Sequence, residues 1–151
     1  MKYNSVLDLH THTIASGHAY CSLREMAKAA SDKGLELLGI TEHAPSMPGT
    51  CHKFYFHNLK VVPRKMYGIQ LLLGSEVNIL DAQGTVDLGQ HTLSTMDVVI
   101  ASLHTPCMKP ASKLENTEAY LNAMKNPYVN IIGHPDDGRY EIDYEALVQG
   151  A

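Results

Sequence analysis

The sequence is poor in cysteine and has neither a long apolar run nor an excess of basic residues. Its three cysteines, Cys21, Cys51 and Cys107, lie far apart and form no C-x-x-C pair, which argues against a disulfide framework or a cysteine-based zinc or redox motif. No apolar run reaches the roughly 18–20 residues of a membrane span. The N-terminal residues lack the apolar core of a secretory signal, so we expect a cytoplasmic protein that does not enter a membrane.

The charge balance is mildly acidic. Lys and Arg number 12 against 16 Asp and Glu, which gives a formal net charge of −4. This argues against nucleic acid as a partner, because a large nucleic-acid footprint needs clustered Lys and Arg. A length of 151 residues with 44% hydrophobic residues predicts one folded domain with its own core.

Predicted strands and helices alternate along the chain. Five runs that are nearly continuous in Leu, Ile and Val are typical of a parallel sheet covered on both faces. Ser22 and Glu25 form a capping box that starts one helix. Asn116 is expected to cap a second helix that runs to about Lys125, and Asp143 a third. This alternation predicts an α/β fold. The predicted strands cover residues 5–9, 37–41, 69–74, 98–102 and 129–133.

A histidine or glutamate follows each predicted strand. In α/β barrels the carboxyl ends of the strands form one face, where catalytic residues gather. Side chains that are far apart in the sequence are therefore expected to converge there. The candidates are His10, His12, His43, Glu76, His104 and His134.

These residue types predict a metal site. Imidazole and carboxylate are ligands of zinc and similar divalent ions. Residues i and i+2 of an extended segment point to the same side, so His10 and His12 are expected to bind one ion together. Because four positions are usual around zinc, the whole set predicts two or three ions rather than one.

Other histidines and cysteines fall outside this pattern. His52 and His57 lie in a proline-containing segment that we predict as a long loop with a short helix, where a surface role is favoured over one at the border of the site. His91 is expected to be exposed. Cys21 and Cys107 lie near candidate ligands, but the favoured interpretation is that they are ordinary buried thiols.

The motifs resemble, in order, those of the PHP domain, the polymerase and histidinol phosphatase family. The resemblance covers essentially the whole chain, and further stretches are similar to the YcdX-like subgroup of short bacterial phosphatases. The motifs that carry it are Asp8-Leu9-His10-Thr11-His12-Thr13, His18, Thr41-Glu42-His43, Gly74-Ser75-Glu76-Val77-Asn78-Ile79, Ser102-Leu103-His104 and Gly133-His134-Pro135.

This resemblance implies a TIM-like, distorted (β/α)7 barrel with a trinuclear metal centre at its C-terminal face. The expected metals are divalent ions, with zinc favoured and manganese or iron as alternatives. The implied ligands are His10, His12 and Glu76 for the first ion, Glu76, His104 and His134 for the second, and His18 and His43 for the third.

The family pattern also ends with an Asp and a His on a later strand, and neither is present in this sequence. We therefore interpret residues 1–151 as the N-terminal part of a PHP domain, with about five of the barrel strands. Such a part would expose an unpaired sheet edge, which favours oligomerisation. Its catalytic competence would depend on the two further ligands.

The expected activity is that of a metal-dependent phosphatase acting on small phosphate monoesters. A metal-bound water would ionise near neutral pH and attack phosphorus in line, so no catalytic side chain is assigned. Lys53, Lys60, Arg64 and Arg139 are candidate contacts for phosphate, and the sequence does not select among them. Two alternatives stay open: a non-catalytic metal-binding or assembly module, and a metal-dependent exonuclease.

Overall fold

The protein is built on a curled, mostly parallel sheet that forms half of a barrel. The computed structural model describes residues 4–151, so the expectation about a secretory signal falls partly outside the described residues. The strands are β1 Leu7–Asp8, β2 Leu37–His43, β3 Lys65–Met66, β4 Ile69–Asn78, β5 Val98–Ser102 and β6 Ile131–Ile132. Five of them run parallel in the order β1-β2-β4-β5-β6, while β3 is antiparallel to β4. The predicted α/β, TIM-like architecture is confirmed as a half-barrel.

The central strands extend further than the apolar runs predict. Both β2 and β4 continue through polar residues, and His43 is in register with Glu76 across the ladder. The ladder continues because β4 has parallel partners on both sides, which satisfy its backbone groups even where the side chains are polar. The outer strands β1 and β6 are shorter than predicted, and each has one partner strand among the described residues. The predicted bounds of β5 are confirmed.

The strand β3 was not predicted, and a two-residue hairpin explains its presence. Tyr67 and Gly68 connect β3 to β4, and both have positive φ, at 51° and 86°. Positive φ at both central positions is typical of the turn that matches the twist of a hairpin. This turn is usually predicted from Asn-Gly or Asp-Gly, so the Tyr-Gly pair did not indicate it.

Helices cover the sheet and carry much of the apolar core. The capping box of Ser22 and Glu25 and the cap at Asp143 are confirmed. The predicted cap at Asn116 is wrong, because a capping box at Ser112 starts that helix one turn earlier. The buried side chain of Asn116 instead bonds the backbone of neighbouring segments. The helices are α1 Leu23–Asp32, α2 Phe54–Asn58, α3 Gln90–Leu93, α4 Lys113–Ala123 and α5 Tyr144–Gly150.

The long connections contain only short helices. As predicted, residues 44–64 form a loop with a short helix, α2, which continues into a 3-10 turn at Leu59–Val61. The one-turn helix α3 was not predicted. Within residues 4–151, every helix is too short or too polar to cross a membrane.

Candidate metal centre

The carboxyl ends of the strands bring histidine side chains around one buried glutamate. Glu76 lies inside β4, its side chain is 0% exposed, and five imidazole nitrogens lie within 3.3 Å of its two carboxylate oxygens. His10 and His12 follow β1 and His43 ends β2. His104 and His134 follow β5 and β6. The predicted convergence of these residues is what the structure shows.

The five contacts divide between the two oxygens of Glu76. The Nε2 atoms of His10 and His12 lie 3.1 and 3.3 Å from Oε2, and Nδ1 of His43 lies 2.8 Å from the same oxygen. The Nε2 atoms of His104 and His134 lie 3.3 and 2.8 Å from Oε1. One carboxylate therefore faces histidines from four other parts of the chain.

His18 lies beside this cluster but does not contact Glu76. Its ring centroid is 4.8 Å from that of His43 and 5.8 Å from that of His12, and its side chain is exposed. This places His18 next to His43, as the resemblance to the family implies. Its role as a ligand stays a prediction.

Burial and the imidazoles act in opposite directions on the acid at the centre. Burial raises the pKa of Glu76, but the nitrogens of His10, His104, His12 and His134 outweigh it and hold the pKa far below the usual value. At neutral pH the cluster therefore contains an ionised carboxylate.

Two of the histidines respond differently to the same carboxylate. Burial lowers the pKa of His43, and Glu76 only partly opposes this effect. The hydrogen bond to Glu76 raises the pKa of His134, and burial opposes it. The imidazoles of one cluster therefore differ in how readily they give up a proton.

The nitrogen and oxygen atoms of the cluster are arranged better for binding a cation than for hydrogen bonding to one another. Nδ1 of His43 and Oε2 of Glu76 are both buried and lie 2.8 Å apart, yet neither makes a hydrogen bond of acceptable geometry. No Lys or Arg nitrogen of the described residues lies within 4.0 Å of this carboxylate. A buried carboxylate is costly unless an opposite charge neutralises it. No Lys or Arg of the described residues does so here, whereas a divalent cation bound by these imidazoles and the carboxylate would.

The backbone at Gly133 packs closely against the residues around Glu76. A Cβ atom on Gly133 would collide with Ser102 Oγ and would lie 3.5 Å from Glu76 Oε1. The next residue, His134, has a φ of 29°, a conformation that is unusual for a non-glycine residue. Such local strain often accompanies functional sites, and here it occurs at a candidate ligand.

The structure groups the ligand atoms slightly differently from the assignment that the resemblance implies. The first group, His10, His12 and Glu76, has its ligand atoms within 4.8 Å of one another, as expected. The second group joins His43 and His104 to Glu76. His43 was expected to serve a third ion with His18, but it contacts Glu76 directly.

A cavity of about 530 Å³ opens in front of the cluster. It is lined by the five clustered histidines, by Glu76, and by Asp136, Asp137 and Arg139. Of the four basic residues considered for phosphate, only Arg139 lines this cavity; Arg64 instead bonds Asp97, which directly precedes β5. The hydrogen bonds from Arg139 lower the pKa of Asp137 to about 2, so this pair is ionised at neutral pH.

Two residues that were not predicted as part of the site bond the second nitrogen of two candidate ligands. Nδ1 of His12 lies 3.1 Å from Ser16 Oγ, and Nδ1 of His104 lies 2.7 Å from Asn78 Oδ1. Asn78 is two residues beyond Glu76 on the same strand, so the alternation of a strand puts both on one face. That spacing was the available signal for Asn78, whereas nothing in the sequence singles out Ser16.

The remaining histidines and cysteines lie away from the cavity lining. His52 and His91 are exposed, as expected, while the half-buried His57 has its Nε2 atom 3.2 Å from Thr92 Oγ1. Cys107 is partly buried. The interpretation of Cys21 as a buried thiol is wrong, because its side chain is exposed at the turn that precedes α1.

Comparisons with known proteins point to one family. A model of the PHP domain family matches residues 8–149. A "probable phosphatase" of Clostridium novyi (strain NT) is 55% identical over 151 residues, which is 100% of this chain and 61% of that protein. A "probable phosphatase" of Caldanaerobacter subterraneus subsp. tengcongensis is 52% identical over 152 residues, with 100% of this chain and 60% of that protein covered. The chain thus spans about 60% of the length of these curated relatives.

Proposed function

Because the chain belongs to the PHP domain family, we propose that it provides the metal-binding part of a phosphatase that hydrolyses small phosphate monoesters. The relatives that carry the name "probable phosphatase" support this reaction class. Membership of the YcdX-like subgroup stays a prediction. The curated relatives are longer than this chain, so the activity of a whole protein of that length is also part of the proposal.

The single observation that carries the proposal is the environment of Glu76. An ionised carboxylate with a 0% exposed side chain faces five imidazole nitrogens and no Lys or Arg nitrogen of the described residues. This donor set suits a cluster of two or three divalent ions, with zinc favoured and manganese or iron as alternatives. The proposed ligands are His10, His12, His18, His43, Glu76, His104 and His134.

The chain's own residues would bind the ions and position the phosphate. When bound, the ions supply an activated water and neutralise charge on the phosphoryl oxygens. Glu76 touches both groups of ligand atoms and would hold two cations close together while it reduces their repulsion. Arg139 lines the cavity in front of them and is 60% exposed, so a substrate would reach the cavity beside it.

Arg139 is the side chain best placed to contact the phosphate monoester. Its side chain is 60% exposed and is held by Asp137, with the Nε atom 2.9 Å from both carboxylate oxygens. A guanidinium group binds phosphate through paired hydrogen bonds. Asp137 would therefore keep the arginine at the mouth of the cavity until a substrate phosphate competes for it.

The test is hydrolysis of a generic aryl phosphate by the 151-residue chain and by a version extended with the C-terminal region of a relative. Each form is assayed with zinc, manganese or iron(II). His10→Ala and Glu76→Ala are expected to lose all activity and keep the fold. His91→Ala is the matched control, because His91 is an exposed histidine outside the site.

The outcomes separate the alternatives. Turnover that depends on His10 and Glu76 supports the phosphatase. Tight metal binding without turnover in either form contradicts it and favours a metal-binding module. Degradation of single-stranded DNA without hydrolysis of the aryl phosphate contradicts it in favour of an exonuclease.

A further inference from the structure

We propose that two hydrogen-bond relays outside the ligand set decide which nitrogen of His12 and of His104 binds the metal. One relay runs from Asp87 through Asn78 to His104, and the other from Glu42 through Ser16 to His12. The inference rests on the proposed function only in taking these two histidines as metal ligands. Asn78 and Ser16 act here as positioning residues.

The orientation of the Asn78 amide is fixed by its neighbours in the first relay. Its Nδ2 atom lies 2.6 Å from Asp87 Oδ2 and 3.1 Å from the carbonyl oxygen of Ala44. Both of these groups accept hydrogen bonds and cannot donate them. The amide nitrogen must face them, which leaves Oδ1 to face His104.

The carboxylate of Asp87 is itself held in place. It accepts the backbone N–H of Asn78 through Oδ1 at 2.9 Å and the backbone N–H of Ser46 through Oδ2 at 2.8 Å. A flip of the Asn78 amide would therefore put an N–H group against His104 and its oxygen against two other acceptor oxygens, those of Asp87 and Ala44, which is costly for a side chain that is 0% exposed.

The consequence for His104 follows from this orientation. Asn78 Oδ1 lies 2.7 Å from Nδ1 of His104 and can only accept a hydrogen bond. Nδ1 must therefore carry a proton and donate it. Nε2, which lies 3.3 Å from Glu76 Oε1, is the nitrogen left to bind a cation.

A hydroxyl group performs the same task in the second relay. Ser16 Oγ has one proton, and it donates that proton to Glu42 Oε2 at 2.6 Å. The backbone N–H of His43 donates to the same hydroxyl at 3.1 Å. One lone pair remains, and Nδ1 of His12 lies 3.1 Å away. Ser16 can only accept there, so Nδ1 of His12 is the protonated nitrogen.

Glu42 is held as firmly as Asp87. Its carboxylate accepts the backbone N–H of Thr13 at 3.0 Å and also bonds the Thr13 hydroxyl. Its side chain is 0% exposed, so every one of these contacts is made away from solvent. The direction in which protons are donated along this relay is therefore set by the buried Glu42 carboxylate, which accepts at its outer end.

The relays serve two of the three most buried histidines of the cluster; the third, His43, is 7% exposed and faces Glu76 through Nδ1. The side chains of His12 and His104 are 20% and 8% exposed, and each has a relay. His10 and His134 are 30% and 34% exposed, and no described side chain bonds their Nδ1 atoms. Outer partners of metal-bound histidines typically fix the ring and the proton position, and losing one costs about 10–100-fold in metal affinity.

The nitrogen assignment is tested by long-range 1H–15N spectra of the histidine rings, recorded on the 151-residue chain with chelator and then with zinc. We expect Nδ1 of His12 and His104 to carry a proton in both samples, and their Nε2 signals to shift when zinc is added. A zinc-induced shift at Nδ1 of either residue would overturn the proposal for its relay.

Zinc affinity, measured by competition with a chromophoric chelator, tests the first relay against a matched control. Asn78→Leu removes the acceptor for His104 and should weaken zinc binding about 10–100-fold. Asn116→Leu removes an equally buried amide that bonds the carbonyl oxygens of Ala111 and Glu141 and no histidine, so it should keep the affinity. Equal losses in the two variants would mean that Asn78 is merely structural.

The second relay has a matched control in a neighbouring buried serine. Ser16→Ala should weaken zinc binding about 10–100-fold. Ser75→Ala removes an equally buried hydroxyl that donates to the Glu42 carbonyl oxygen at 3.0 Å and touches no histidine, so it should keep the affinity. Equal affinities of the two variants would contradict the proposal.

These measurements do not depend on phosphate hydrolysis. A chain that binds zinc through the expected nitrogens but hydrolyses no ester would keep this inference and refute the proposed function. Ester hydrolysis with zinc bound through Nδ1 of His12 and His104 would keep the proposed function and refute this inference. Ser16→Ala is the smaller change, and it keeps the test decisive if Asn78→Leu does not fold.

Discussion

Two acidic residues near the sheet have opposite surroundings. Asp97 precedes β5 and accepts hydrogen bonds from Arg64 Nε at 2.6 Å and from the backbone N–H of Leu73 at 2.9 Å. Glu76 lies toward the other end of β4, where the side chains that face its carboxylate are histidines. One acid has a basic partner within the chain, and the other has only groups that can themselves bind a cation.

The difference supports a structural role for Asp97 and the functional role that we propose for Glu76. Arg64 also donates to the carbonyl oxygens of Leu59 and Val62, so its pair with Asp97 ties a loop to the sheet. That interaction is complete without a ligand. The five imidazoles around Glu76 can themselves bind a divalent cation, which the guanidinium of Arg64 cannot.

The largest expected effect comes from removing the unpaired acid. Glu76→Ala should weaken zinc binding by more than the roughly 100-fold that loss of an outer partner causes, because it removes a ligand shared by both groups. Asp97→Ala should bind zinc as the unmodified chain does. Chelator competition measures both, and circular dichroism checks the fold. Equal zinc affinity of the two variants would contradict the prediction that Glu76, and not Asp97, binds the metal.

Metal binding should also stabilise the chain. At a zinc concentration 100 times the dissociation constant, the free energy of unfolding should rise by about 2.7 kcal/mol, provided that the unfolded chain does not bind the ion. The rise should be reversed by chelator and absent in Glu76→Ala. Thermal or urea denaturation measures it, and a similar rise in Glu76→Ala would show that zinc binds elsewhere.

A smaller effect is expected where the acid has its own base. Asp97→Ala removes the partner of Arg64 and of the Leu73 N–H group, and should lower the free energy of unfolding by about 1–2 kcal/mol. The side chains of Asp97 and Arg64 are 28% and 34% exposed, so solvent limits the loss. Urea denaturation in the presence of chelator measures it. An unchanged free energy of unfolding would mean that the pair of Asp97 and Arg64 does not stabilise the fold.

The smallest effect is expected at the surface. Lys28 and Asp32 form an ion pair at spacing i, i+4 on α1, with side chains 55% and 61% exposed. Asp32→Asn should change the free energy of unfolding by at most about 0.5 kcal/mol, because solvent screens such a pair. The same denaturation assay measures it, and a loss as large as that of Asp97→Ala would contradict the role given to burial.

Much of the fold could be predicted because its signals are local. The apolar run of β5 and the caps at Ser22 and Asp143 depend on neighbours within a few residues, and all three were confirmed. The start of α4 was misplaced because both Ser112 and Asn116 are good caps, and the competing backbone contacts that hold Asn116 come from distant segments. The hairpin at Tyr67 was not predicted because its turn lacks the usual Asn-Gly or Asp-Gly pair.

The sequence by itself determined the kind of chemistry at the centre. Imidazole and carboxylate groups placed after successive strands must meet at one end of a parallel sheet, whatever the details of its curvature. Only the tertiary structure decided that His43 contacts Glu76, that Arg139 rather than Arg64 faces the cavity, and that Asn78 and Ser16 bond the second nitrogens of two candidate ligands. The reason is that hydrogen-bond partners are chosen by strand register and loop paths to within a few tenths of an ångström, which spacing along the chain does not specify.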